Sequence, residues 1–435
     1  MSQRNPVLTD KPPPPGPLSR RAACAGQEPI ASVLMARTLA NPQLVSLAAG
    51  FVDQQGLPRE ATREALEVIW SDPCRARAAL QYGTTAGYRP LREMLLERLL
   101  QADGRSAAEL GVSAEQVVVT AGSNQLLFLL GDVLLDPGDI VLCASPSYFV
   151  FLGTLKGLGA RAVGVATDRD GPIPEAIDEL LQHYQQAGQL HRVKAIYVCS
   201  YFDNPSGATV AGQRRAELVE LVRRWSRNSK LYLIEDAAYR PLRYCGSDIP
   251  SIRSFDSAGE TVIYVDSFSK TFSPGVRVGW GLLPRDLLQP VLAEKGNIDF
   301  GSPNFNQVLM ATVLQLGLYQ RHVRQLCDLY RQKLDVTLRA LADCFADNQH
   351  VQWLTPEGGL YVWLRLPEQV DTGPQGPLFD RAVAEGVLYV PGECCFPDAP
   401  TGRPKNFLRL SFGIPTCDEI TRGIQGLRRA VAQVL

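Results

Sequence analysis

Five short stretches of this sequence place reactive or ligand-binding side chains directly after apolar, β-branched runs. Lys270 follows "VIYVD", between Ser267, Ser269 and Thr271, with Arg277 seven residues beyond. A lysine amine can add to a carbonyl or move a proton, and an arginine fork matches phosphate or carboxylate oxygens. Asp236 ends "LYLIED", with Tyr239 just after it. A carboxylate at the end of a buried strand is costly unless paired. Asn204 follows "AIYVCS" in the turn Asn204-Pro205-Ser206-Gly207, Tyr148 follows "IVLCA", and Gly122-Ser123-Asn124 follow "QVVVT". The last is a glycine turn into a helix start, where free N–H groups and the helix dipole favour an anion. Taken singly, each has a plain structural reading: an N-cap, a packing aromatic, a tight turn, a capping carboxylate, a solvated lysine.

The elements around these residues follow a rhythm. Strands are predicted over Gln116–Thr120, Ile140–Ala144, "ARAVGVA", Ala195–Ser200, Leu231–Asp236 and Thr261–Asp266, with helices such as "QLLFLLGDVLL" and "RRAELVELVRRWS" between them. Short runs apolar on both faces, alternating with helices, predict a mostly parallel sheet covered on both sides. Ligands of such sheets bind beyond the carboxyl ends of the strands. From about Pro303 the pattern turns into one or two long helices, then three shorter strand segments, "GGLYVWLRLP", "GVLYVPG" and "NFLRLSFG", and a closing helix. The expected organisation is an extended tail over 1–25, an N-terminal arm over 26–60, a large α/β domain over 61–315 and a small α+β domain over 316–435.

The 435 residues exceed one compact core. Lys+Arg of 44 against Asp+Glu of 45 argue against a nucleic-acid or anionic-membrane surface. No apolar run approaches the ~20 residues of a spanning helix. The N-terminus has four consecutive prolines and no apolar stretch of a secretory signal. The ten cysteines show no metal-ligand spacing and read as reduced thiols of a cytoplasmic protein. In "NFLRLSFG", strand alternation puts Phe407, Arg409 and Ser411 on one face and Leu408 and Leu410 on the other. No acidic residue in that strand can pair with Arg409.

Five strand ends thus carry an anion-suited turn, an aromatic ring, an amide, a carboxylate and a lysine–arginine pair. Pyridoxal 5′-phosphate answers all of them, having a phosphate, a flat ring with an oxygen and a basic nitrogen, and an aldehyde. The sequence also resembles the class I/II aminotransferases, fold-type I pyridoxal-phosphate enzymes, from about Pro29 to the C-terminus. "SFSKTFSPGVRVG" resembles the cofactor-lysine box, "DNPSG" the Asn-Pro-Thr-Gly turn with Ser206 for threonine, and "IEDAAYRPLRY" the segment of the ring-nitrogen aspartate. "LQYGTTAGYRPLREML" resembles the segment whose tyrosine serves the neighbouring subunit, and "SLAAGFVDQQGLP" the substrate loop, with Ala49-Gly50 where Gly-Gly is usual.

The resemblance implies a large domain with a mostly parallel seven-stranded sheet plus a smaller α+β domain. It implies Lys270 as the Schiff-base lysine and proton carrier, Asp236 on the ring nitrogen, and Asn204 and Tyr239 on the ring oxygen. Tyr148 would stack on the ring. Gly122, Ser123, Asn124, Ser267, Ser269, Arg277 and the neighbour's Tyr82 would bind the phosphate side, and Gly50, Asn204 and Arg409 the substrate. The expected activity moves an amino group from an L-amino acid to a 2-oxo acid, with 2-oxoglutarate as acceptor, by a ping-pong mechanism in a homodimer with shared active sites. The look is nearest to the branch acting on 2-aminoadipate, kynurenine, aromatic or branched-chain amino acids. A lyase, decarboxylase or oxidase could use the same residues. A regulator fused to a DNA-binding domain is disfavoured by the short N-terminus. Arg20, Arg21 and Arg37 could approach the pocket, though as solvated charges they need no such role.

Overall fold

Valine- and isoleucine-rich runs become the strands of one large sheet. In the computed structural model residues 19, 21–22, 30–41, 43–399 and 402–435 are described. The predicted tail over 1–25, with Arg20, lies outside them except for Ser19, Arg21 and Ala22. In chain order the first strands are β1 (Val45–Ser46), β2 (Val117–Thr120), β3 (Ile140–Ser145), β4 (Arg161–Asp168), β5 (Gly171–Pro172), β6 (Val193–Cys199), β7 (Tyr232–Asp236), β8 (Val262–Ser267) and β9 (Gly279–Leu282). All but β1 join one sheet in the order β2-β9-β8-β7-β6-β3-β4-β5. β3, β4, β6, β7 and β8 pair in parallel, whereas β9 is antiparallel to both β2 and β8.

The sheet therefore has eight strands, not the expected seven. The chain reverses after β4, and Gly171–Pro172 add a two-residue antiparallel edge. β9 is not marked by the apolar pattern either, because half of "GWGL" is glycine. Its glycines answer to packing. A Cβ on Gly279 would lie 2.3 Å from the Ser123 nitrogen, and one on Gly281 2.4 Å from Leu126 Cδ2. Only bare backbone lets the helix Ser123–Leu134 lie this close to the strand.

Strand alternation feeds two apolar layers. Ala195, Tyr197, Ile234, Ile263 and Val265 face the helices Ser123–Leu134, Phe149–Gly157 and Arg285–Asp299. Ile196, Val198, Leu233 and Val262 face the helices Pro174–Gln186 and Gly212–Ser226. Because β2 is related to β8 through two antiparallel pairings, it runs in the same direction. Thr120, Ser145, Cys199, Asp236 and Ser267, the last residues of five strands, thus emerge on one edge of the sheet.

After the helices Asn304–Gln315 and Leu318–Phe345 come β10 (Gln352–Trp353), β11 (Tyr361–Arg365), β12 (Val387–Leu388), β13 (Val390–Pro391) and β14 (Phe407–Ser411). Four form an antiparallel sheet, β10-β11-β14-β13. β1 pairs in parallel with β12, Val45 opposite Val387, so the N-terminal arm is tied to the C-terminal region. β14 is covered on both faces from Leu408 to Ser411. No helix among the described residues is long and apolar enough to cross a membrane.

Candidate active site

The turn after β2 forms a cradle. Gly122 has φ +86°, a left-handed conformation that glycine adopts without a Cβ penalty. A Cβ there would sit 2.4 Å from Arg277 Nη2. The helix Ser123–Leu134 starts with no side-chain cap, leaving its first N–H groups for another acceptor. Arg277 is itself left-handed at φ 46°, a conformation costing a non-glycine residue about 1–3 kcal/mol. Its guanidinium donates to the Ala121 and Pro274 carbonyls at 3.1 and 3.3 Å and remains exposed. Ser267 Oγ donates to Ser269 Oγ at 2.9 Å and accepts the Ser269 N–H. Behind the cradle, Gln125 Oε1 accepts the Ala121 N–H at 2.6 Å and Gln125 Nε2 donates to Asp299 at 2.8 Å. Asp299 is held in turn by the buried Lys295 at 2.8 Å.

Alternation along β7 separates its two carboxylates. Glu235 points to one face, where Ser200 Oγ and the Ile252 and Arg253 N–H groups hold it. Asp236 points to the other, accepting from Tyr197 Oη at 2.9 Å and the Ala238 N–H at 3.2 Å. Tyr197 pairs in register with Ile234, two residues from Asp236, so it reaches the aspartate diagonally on the shared face. Burial pushes the Asp236 carboxyl up to about 6, against the pull of these two donors. Tyr148 Oη donates to Asn124 Oδ1 at 3.3 Å.

Beyond this edge, Arg409 lies buried on β14. It donates to Asn204 Oδ1 and to the Ala48 carbonyl, both at 2.7 Å, while its Nε is buried without a partner. Its guanidinium lies 4.2 Å from the Tyr361 ring and 5.5 Å from that of Phe149. Tyr361 Oη meets Tyr239 Oη at 3.0 Å. Lys270 Nζ donates to the Gly50 carbonyl at 2.5 Å, and a Cβ on Gly50 would lie 2.7 Å from Tyr361 Oη. Burial holds the Lys270 amine below its ordinary value; Tyr361 opposes this, and Arg409 and Arg277 add to it.

The structure thus draws Gly50, Asn204, Tyr239, Lys270 and Arg409 into one contact network, with Asp236 and the Gly122–Arg277 cradle on the same sheet edge. Tyr82 does not join them. It is 80% exposed and packs edge-on against Phe300 at 5.6 Å. Of the arginines considered for the pocket, the two that are described go elsewhere: Arg37 covers the Phe379 ring, and Arg21 pairs with Asp132 at 2.7 Å. Ser206 donates to Asp203 at 2.6 Å and closes its turn. Tyr197, Tyr361, Phe149 and the Ala48 carbonyl were not anticipated. Strand alternation carried the only signal for the first two, since each shares a face with an expected site residue or its register partner.

The profile of the aminotransferase class I and II family matches residues 42–427. The chain belongs to that family. It is 33% identical to the aromatic-amino-acid aminotransferase 1 of Thermococcus litoralis over 394 residues, covering 90% of this chain and 88% of that one. To the 2-aminoadipate transaminase of Thermus thermophilus it is 32% identical, covering 91% of each. The kynurenine aminotransferase of Pyrococcus horikoshii, solved in complex with PMP, superposes with a TM-score of 0.86 at 31% identity, over 96% of this chain and 97% of that one.

The protein is a fold-type I, pyridoxal-phosphate-dependent aminotransferase acting on amino acids and 2-oxo acids. Its residues fit that cofactor. The Gly122 turn and the exposed Arg277 guanidinium suit a phosphate. Asp236 suits a basic ring nitrogen, and the partnerless Arg409 Nε suits a carboxylate.

Proposed function

We propose that Lys270 is the cofactor-bearing lysine and the base that takes the proton from substrate Cα. The supporting observation is its amine, held at the Gly50 carbonyl in a loop whose Ala48 carbonyl holds Arg409. Bound pyridoxal phosphate supplies an aldehyde that takes up the amine and a ring that accepts the electrons released at Cα. Gly122, Ser123, Ser267, Ser269 and Arg277 would hold the phosphate, and Asn124 would fix Tyr148 against the ring. Asp236 would hold a proton on the ring nitrogen, while Asn204 and Tyr239 would face the ring oxygen. Arg409 would grip the α-carboxylate bidentately and turn the Cα–H bond toward Lys270. Burial favours the neutral amine at Lys270, the form that can accept that proton.

We further propose an aromatic, kynurenine-like or 2-aminoadipate donor with 2-oxoglutarate as acceptor, in ping-pong order. Tyr361 and Phe149 around Arg409 support an aromatic side chain, as do the aromatic and kynurenine substrates named for two relatives, while the name of a third supports the acidic 2-aminoadipate. A homodimer is inferred from the exposed Tyr82–Phe300 pair. The nine free cysteines among the described residues support a reducing, cytoplasmic setting. A donor panel assayed with 2-oxoglutarate tests the reading. Turnover of aromatic or 2-aminoadipate donors supports it, and exclusive turnover of small aliphatic donors contradicts it.

A further inference from the structure

The loop that presents carbonyls to Lys270 and Arg409 has almost no regular structure of its own. After the two residues of β1, it runs over 47–56 as irregular chain. Its backbone is nevertheless heavily used. The Leu47 carbonyl accepts from the Ser411 N–H at 2.7 Å, Ala48 from Arg409, and Gly50 from Lys270. Gly413 backs onto Phe51 so tightly that a Cβ would lie 2.3 Å from its carbonyl oxygen.

What fixes the far end of this loop is a buried ion pair outside the catalytic network. Lys333, in the middle of the helix Leu318–Phe345, is 3% exposed, and Asp53 is 8% exposed. The Lys333 ammonium donates to Asp53 Oδ2, to the Gly413 carbonyl at 3.1 Å and to the Ile414 carbonyl at 3.2 Å. All three of its protons are thereby used. The other Asp53 oxygen accepts the Gly56 N–H at 2.9 Å, and the Asp53 N–H donates to Tyr330 Oη at 3.0 Å, one helical turn from Lys333. One ammonium therefore ties together the loop, the long helix and the turn that leaves β14, the strand of Arg409.

We propose that Lys333 and Asp53, with Tyr330, are positioning residues of the transamination site. They set the loop whose carbonyls aim the Lys270 amine and the Arg409 guanidinium, and they make the loop follow any movement of β14. A buried ion pair is weak ground for stability alone, because neutral groups of similar shape often replace it without loss. Stability and positioning can therefore be separated. The inference rests on the roles given above to Lys270 and Arg409.

The test compares wild-type holoenzyme with Lys333→Met/Asp53→Asn, a neutral pair that keeps an acceptor for the Gly56 N–H. Thermal midpoint, hydrogen–deuterium exchange of residues 47–56, and KM and kcat for one amino donor and one oxo acid are measured. The proposal expects a midpoint within a few degrees of wild type, faster exchange in the loop, and KM for both substrates raised about tenfold or more, the effect of weakening one charged contact. Wild-type exchange and wild-type KM would overturn it. If the double variant does not fold, Tyr330→Phe removes only the acceptor of the Asp53 N–H. Faster loop exchange and a raised KM then support the proposal, and unchanged values overturn it. Borohydride labelling of the wild-type enzyme keeps the outcomes distinct. A pyridoxyl group on a lysine other than Lys270 defeats the catalytic assignment, whereas label on Lys270 with unaffected variants defeats the positioning proposal alone.

Discussion

Asp236 carries two opposed consequences of one placement. Burial raises its carboxyl from an ordinary 3.8 to about 6, so in the protein without cofactor it takes up its proton at a higher pH than it would in the unfolded chain. Its contribution to apoprotein stability is therefore full below about pH 3.8 and is lost as pH rises through about 6. A shift of this size corresponds to about 3 kcal/mol at neutral pH. Asp236→Asn carries no such charge. Relative to wild type, its apoprotein should gain stability between pH 4 and 8, while its kcat with cofactor bound falls steeply. Chemical denaturation at the two pH values checks this, and an unchanged difference would show that Asp236 is not held as described. Arg409 supports a second residue-scale prediction. Its partners are an amide and a carbonyl, with Nε left over. Arg409→Lys should raise KM for amino and oxo acids by about 2–5 kcal/mol equivalent, the cost of losing a buried charged partner. It should affect simple amines little, and equal impairment of amines would make Arg409 structural.

At the scale of elements, the strand ends were legible because a polar residue after a β-branched run stands out against burial. Lys270, Asp236, Asn204 and Tyr148 all announce themselves this way. Tyr197 and Tyr361 do not, because inside "AIYVC" and "YVWLR" they read as core. Only the pairing of β6 with β7, and of β11 with β14, shows which face they occupy. β9 escaped for the opposite reason, since its glycines carry no apolar signal. For Arg409 the alternation of its strand gives the face it shares with Phe407 and Ser411, but not that the strand is covered on both faces from Leu408 to Ser411. The Gly122 turn offers an element-scale test. Alanine there would need φ +86° and would collide with Arg277 Nη2. A left-handed alanine costs about 1–2 kcal/mol before any clash. Gly122→Ala should weaken cofactor binding about tenfold or more. Equilibrium dialysis of the apoenzyme would check it, and wild-type affinity would show that the Gly122 turn does not hold the phosphate.

At the scale of the whole molecule, one surface stands out for what it leaves uncovered. Tyr82 and Phe300 form an edge-on aromatic pair at 80% and 65% exposure, and their sequence neighbours Leu80 and Ile298 are also exposed. Large apolar groups grouped on a surface mark an interaction site, and obligate homodimers bury about 2,000–5,000 Å². Sedimentation should give a dimer, and Tyr82→Asp with Phe300→Asp should yield an inactive monomer. A wild-type monomer active at assay concentration would refute this.

Transamination here is proposed to depend on one lysine, three residues beyond β8 and against the Gly50 carbonyl, as the bearer of the cofactor. Reduction of the holoenzyme with borohydride, followed by peptide mapping, tests it most directly. The pyridoxyl group is expected on Lys270, with no transamination by Lys270→Ala; label on any other lysine would place the cofactor elsewhere.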